Sequence, residues 1–193
     1  MEQITRHIIK QRGKSELEYL FTTFDFVIGH DLEQKVKKMH PNVLKLALHI
    51  REAFKIGMPT LETSASQAKT LLLKVERLKD HEFTSMALAA GAKKGRGAHP
   101  TVQNYFMKFH KHAIAMELPV WGADMTALID IVLIDPISGI VYILDYKPGA
   151  AQEKHAATQI YYDKKLLAEN AYIPHSDIEA FYFDELNTYH LIS

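Results

Sequence analysis

Apolar residues fall on both faces of two short runs in the second half of the chain. Leu128 to Ile134 reads Leu-Ile-Asp-Ile-Val-Leu-Ile, Ile140 to Tyr146 reads Ile-Val-Tyr-Ile-Leu-Asp-Tyr, and Asp-Pro-Ile-Ser-Gly lies between them. β-branched and aromatic side chains favour strands while Pro, Ser and Gly favour turns, so the stretch predicts a hairpin. Because neither face is polar throughout, both strands are expected to be buried on two sides.

The pattern before this hairpin is mainly helical. Leu17, Leu20, Phe21 and Phe24 recur at helical spacing between Ser15 and Ile28, and Asp31 is placed to cap a short helix to Met39. Pro41 opens a stronger helix that carries Val43, Leu46, Ile50 and Phe54 until Gly57 stops it. Ser64 or Ser66 is expected to cap another through Leu71, Leu72, Leu73 and Val75, and Asp80 to start one ending near Gly91. Residues 1–90 are therefore expected to form a helical lobe. After it come a helix from His99-Pro100 with Val102, Tyr105, Phe106 and Phe109 inward, a strand from Ala115 to Trp121, and the hairpin. A helix from about Ala151 to Asn170 and two strands, Ile178 to Asp184 and Tyr189 to Ile192, complete residues 91–193. The predicted class is α/β of the α+β kind: a small mixed sheet flanked by helices, with the N-terminal helical lobe beside it.

Two acids break the apolar runs, and register makes them informative. If Pro136 to Gly139 is the loop, Asp135 pairs with Ile140, and counting back sets Asp130 directly opposite Asp145. Opposed residues share a face with Cβ atoms roughly 5 Å apart. Two ionised carboxylates at about 4 Å repel by roughly 4 kcal/mol at an effective dielectric near 20. Either one acid is protonated or a cation lies between them, and a hard ion such as Mg2+ is held by one or two carboxylates plus water and phosphate. Lys147, two residues beyond Asp145, falls on the same face about 7 Å along the strand, where charge on an attacked phosphate would develop.

The arrangement Asp130, then Asp145-Tyr146-Lys147, resembles the PD-(D/E)XK nuclease superfamily, and the Asp-Tyr-Lys form is most similar to its RecB-like branch. The resemblance covers roughly His99 to Phe183 and implies a restriction-endonuclease-like core, a Mg2+ or Mn2+ cofactor and hydrolysis of DNA phosphodiester bonds. It makes Asp130 and Asp145 metal ligands and Lys147 catalytic. Gly95 and His99 match the first motif of the branch, which implies that His99 helps hold the metal. Glu117, in the strand ahead of Asp130, corresponds to an acid the branch also uses at the metal. Gln159 matches the Gln that orients the catalytic carboxylate and Lys. The branch then carries Tyr four residues on, where this chain has Asp163 and places Tyr162 one position earlier.

Composition adjusts this picture. Net charge is zero, so affinity for DNA would have to come from local clustering. No acid occurs between Glu82 and Glu117, while Lys93, Lys94, Arg96, Lys108 and Lys111 fall in that interval. With Tyr162 they form the expected nucleic-acid-binding set, the Gly-Ala-Lys-Lys-Gly-Arg-Gly segment being suited to following a phosphate backbone. The chain has no cysteine, which excludes disulfides and thiolate metal sites within it and fits a reducing compartment. It also has no signal-like apolar core at its start and no membrane-length apolar run, so a cytoplasmic protein with no membrane partner is expected. Three other readings stay open: a DNA-binding protein of the same fold without turnover, a protein-interaction module built on the helical lobe, and a nuclease toxin domain neutralised by a cognate inhibitor. A larger DNA-processing assembly is a further conceivable partner.

Overall fold

A computed structural model describes residues 40–57, 59, 63–91 and 98–192 and traces residues 4–10 and 16–22 as strands. The architecture is mixed α/β. A hairpin of β1 (Ile4–Lys10) and β2 (Glu16–Thr22) precedes α1 (Pro41–Ile56), β3 (Thr63–Ser64), β4 (Lys74–Leu78), α2 (Glu82–Ala90) and α3 (Ala98–Phe109). Then come β5 (Ala113–Trp121), β6 (Met125–Ile134), β7 (Val141–Tyr146), α4 (Ala156–Ala171), β8 (Ile178–Phe183) and β9 (Thr188–Ile192). Among the described residues no helix is long and apolar enough to cross a membrane.

Strands β3 to β9 form one seven-stranded mixed sheet. β5, β6 and β7 are successive antiparallel neighbours, β8 joins β7 in parallel, and β9 and then β4 extend the sheet antiparallel. The predicted hairpin register is the observed one: the amide of Asp135 donates to Ile140 at 3.0 Å, and Ile134 pairs with Val141 through to Ile131 with Leu144. Helices cover both faces, which is why β6 and β7 are apolar on both. Val132, Ile134, Val141 and Ile143 share a core with Leu46 and Ile50 of α1 and Ile160 and Leu167 of α4. Ile131, Leu133, Leu144 and Tyr146 instead pack with Phe83 of α2 and Val102 and Phe106 of α3.

The expected helical lobe is corrected in two places. Residues 16–22 form a strand, because Leu17, Tyr19 and Phe21 also alternate with Glu16 and Glu18 and the partner β1 supplies the ladder that favours period two. The segment after Ser64 makes only a single 3-10 turn, Ala65–Gln67, and the chain then extends as β4 along the open edge of β9. Residues before position 91 thus contribute β3 and β4 to the same sheet as the residues that follow. The helix expected from Asp31 to Met39 lies outside the described residues, whereas the one opened by Pro41 spans Pro41–Ile56.

Candidate functional site

The site lies where two strands part. β6 pairs with β5 along one edge; on its other edge it pairs with β3 at Met125 and Thr126 and with β7 only from Ile131 onward. Ala127 to Asp130 therefore face a gap between β3 and β7. At its lip the Tyr146 amide, next in line on β7, donates to Asp130 Oδ2 at 3.1 Å instead of to a strand carbonyl.

Regular alternation also fails here. Ile129 and Ile131 should share a face, yet they pack in opposite cores, and Leu118 and Met116 on β5 are divided in the same way. The residues between each pair, Asp130 and Glu117, stand opposite each other, and Glu117 has φ 51°, a left-handed conformation that costs a residue with a Cβ about 1 kcal/mol or more. The kink is what lets acids from two neighbouring strands reach one place.

Asp145 is the register partner of Asp130 one step beyond the ladder. It is 1% exposed, and its Oδ2 lies 3.0 Å from Lys147 Nζ. Burial first, and repulsion by Asp130 second, push the Asp145 carboxyl up, against the pull of Lys147. Burial would depress the Lys147 ammonium, but Asp145 and Asp130 outweigh it and the net shift is upward. His99, at the start of α3, brings Nδ1 to 3.3 Å from Asp130 Oδ2, a contact that raises the imidazole above its ordinary value. Its ring meets the edge of Tyr146 at 5.2 Å. Glu117 is held by the Gln103 amide one helical turn after His99, and burial with Asp130 nearby pushes its pKa to about 7.

Sequence reasoning missed two members. Gln103 is buried on α3, and its signal was the four-residue spacing from His99, which puts both on one helix face. Asp163 on α4 is 1% exposed, its Oδ1 has no hydrogen-bond partner, and burial with Asp145 and Asp130 near it raises its pKa well above the carboxylate range. Gln159 is half-buried one turn earlier on α4, and its side chain makes no hydrogen bond to another described residue. Tyr162 packs against the core under α4, with its ring 5.3 Å from that of Tyr161, and does not join the acids.

The two described members of the basic set, Lys108 and Lys111, lie away from this site. Lys93, Lys94 and Arg96 lie outside the described residues. Lys108 and Lys111 are exposed near the far end of α3; nine residues of helix put Lys108 roughly 14 Å from His99 along the axis, and its Nζ sits over the Phe109 ring at 5.0 Å. A cleft of about 520 Å3 holding His81, His110, His112 and His190 against Phe181 shares no residue with the acidic site.

Among the described residues no three His, Asp or Glu side chains gather into a ready-made metal shell. The reason is visible in the pairing: Asp130 is engaged by His99 and Tyr146, Asp145 by Lys147, and Glu117 by Gln103. The donor set nevertheless fits a hard divalent ion in kind. Such an ion needs only one or two carboxylates besides water and phosphate, and Asp145 Oδ1 is buried without a hydrogen-bond partner. No family model and no curated protein matches the chain, so its functional reading rests on this geometry.

Proposed function

We propose that the chain is a divalent-metal-dependent nuclease that hydrolyses DNA phosphodiester bonds on a restriction-endonuclease-like core of the PD-(D/E)XK type. One observation carries the reading: Asp130 and Asp145 meet at the parting of two buried strands with the Lys147 ammonium 3.0 Å from Asp145. A structural role for such a buried, mutually repelling pair would be better served by apolar residues of the same size. The order of helix, three antiparallel strands, helix and parallel strand also supports this core.

Asp130 and Asp145 would hold Mg2+ or Mn2+, which when bound supplies Lewis-acid polarisation of a phosphoryl oxygen. Lys147, 21% exposed at its side chain, reaches the mouth of the gap and would donate to the phosphate oxygen on which charge develops. His99 steadies Asp130 from α3, and Glu117, near neutral in its pocket, would hold a proton beside the cluster. Gln159, one turn before Asp163 on α4, would steady the Asp145 and Lys147 pair, as the resemblance implies. Lys93, Lys94 and Arg96 would follow the DNA backbone. The test is incubation of plasmid and linear DNA with Mg2+, Mn2+ or EDTA, alongside Asp145→Ala and Lys147→Ala. Cleavage is expected only with metal and only in the unsubstituted chain; cleavage that survives EDTA or both substitutions overturns the reading.

A second reading has its own support. Each acid of Asp130, Asp145 and Glu117 already has a partner within the protein, as suits a DNA-binding protein without turnover. It predicts gel shifts with steep salt dependence and no cutting under any metal.

A further inference from the structure

We infer that the cavity where α1 meets the end of α4 is a docking site for an arginine side chain presented by a protein partner. It shares no residue with the acidic site and does not depend on the reading proposed above.

The cavity has a volume of about 430 Å3, within the range of ordinary ligand sites, and is lined by α1, the last residue of β5 and the end of α4. Trp121, the only tryptophan of the chain, is half-buried in its wall, with the His49 ring 6.0 Å away. One side chain clamps the Trp121 backbone on both sides. The Trp121 amide donates to Asn170 Oδ1 at 2.8 Å, and Asn170 Nδ2 donates to the Trp121 carbonyl at 2.7 Å. Tyr172, 81% exposed, also lines the cavity and ends α4 with φ 53°, a conformation in which glycine is the usual residue and any Cβ is strained. An exposed aromatic ring held in strain contributes little to the fold, and strain of this kind is kept at ligand clamps.

Glu52 of α1 and Glu169 of α4 border the same cavity, and neither forms an ion pair with another described residue. Lys45, the cation among the lining residues, bears on Asp177 and lowers that carboxyl. His49 adds no positive charge at neutral pH, because burial lowers its pKa to about 4. Its contact with the backbone of Pro119, which has no N–H, is a ring N–H donating to the carbonyl; Nε2 has no partner, so Nδ1 carries the proton and Nε2 is an unused acceptor. The cavity thus combines aromatic rings, two carboxylates and a spare acceptor. A guanidinium is planar, cationic and rich in donors, stacks on aromatic rings and bonds carboxylates, whereas Glu52 and Glu169 repel a phosphate. The rim favours a protein over a free small cation. Leu44, Leu48 and Ile56 are exposed along one stripe of α1 with Glu52 among them at four-residue spacing. Apolar surface of this kind marks protein contacts, in which arginine is a frequent anchor.

The test uses the full chain and a blocked pentapeptide, leucine-alanine-arginine-alanine-leucine, followed by Trp121 fluorescence and by calorimetry. Saturable binding is expected, weakened about tenfold or more when citrulline, neutral and of the same shape, replaces arginine. The double variant Glu52→Gln with Glu169→Gln should lose about tenfold as well. Tyr172→Gly should bind about tenfold more weakly while melting at the same temperature or higher, since glycine relieves the strain; a purely structural Tyr172 would instead lower the melt. Agmatine, the same cation without a peptide, should bind about tenfold more weakly than the peptide because it leaves the rim uncovered. Equal binding of the citrulline peptide, or unchanged binding in the Glu52 and Glu169 variant, overturns the arginine assignment. Agmatine binding as tightly as the peptide overturns the protein partner in favour of a small-cation site. A fluorescence response to single-stranded DNA that the peptide does not compete, or no saturable response to the peptide, overturns the proposal altogether.

Discussion

The backbone N–H of Tyr146 donates to Asp130 Oδ2 at 3.1 Å, so a side chain closes the ladder that β6 and β7 abandon one step earlier. Asp130→Asn keeps an oxygen in reach of that amide, whereas Asp130→Ala leaves a buried donor unmade. Denaturant titration should therefore find Asp130→Ala less stable than Asp130→Asn by about 1–3 kcal/mol, while neither cleaves DNA. Equal stabilities would mean that the amide finds another acceptor.

Glu117 should make the protein less stable as pH rises. Burial and the nearby Asp130 raise its pKa from 4.5 to about 7, so the folded chain keeps a proton that the unfolded chain releases between those values. The neutral form's contribution is complete below pH 4.5 and is lost as pH passes through about 7. Glu117→Gln, which cannot ionise, should match the unsubstituted chain at low pH and exceed it by about 3 kcal/mol above pH 7, measured in chelator.

His49 acts in the opposite direction on the acid side. It is buried near Trp121, its Nε2 has no hydrogen-bond partner, and burial lowers its pKa from 6.5 to about 4. The unfolded chain takes up a proton below 6.5 that the fold refuses until about 4, so stability falls by about 3 kcal/mol across that window. Thermal melts of His49→Gln should show a flatter slope between those two pH values. An unchanged slope would assign the acid sensitivity to other groups.

Gly139 ties the hairpin turn to α1. Its φ is 74°, a Cβ there would enter the His40 ring, and His40 donates its amide to the Pro136 carbonyl at 3.0 Å. The Gly139 carbonyl also accepts from Asn42 Nδ2 at 3.0 Å. Gly139→Ala should cost about 2 kcal/mol or more in chemical denaturation. Adding His40→Ala should cost less than the two single losses summed, because it removes the clash, although it also removes the His40 Nδ1 that accepts from the Asn42 amide at the start of α1. Strict additivity of the two substitutions would contradict the contact.

The hairpin and its acid pair were legible because turn chemistry fixes register, and register fixes which side chains meet. Pro136 and Gly139 bounded the loop, and Asp130 and Asp145 followed by counting. The strand from Glu16 was not read because Leu17, Leu20 and Phe21 satisfy a helical template while Leu17, Tyr19 and Phe21 satisfy a strand, and only the partner chain segment decides. β4 depends in the same way on β9, more than 100 residues away. Asp163 was legible only as a mismatch with a motif. A lone acid in a helix ordinarily faces water, and what turns this one inward is the helix's seat on the sheet, which no local pattern encodes. Gln103 could have been found from its spacing to His99, but an amide among apolar residues carries no charge to draw the eye.

Lys147 leaning on Asp145 has a consequence for how such a chain comes to exist. A pocket of acids that needed an ion to form would leave the nascent protein waiting on supply. Here an internal ammonium and an imidazole hold the acids together from the start, so the scaffold can assemble in metal-poor surroundings and be handled with chelators. On the nuclease reading proposed above, a divalent ion would be a late arrival at a site already held together, and its occupancy could follow the surrounding concentration without risking collapse.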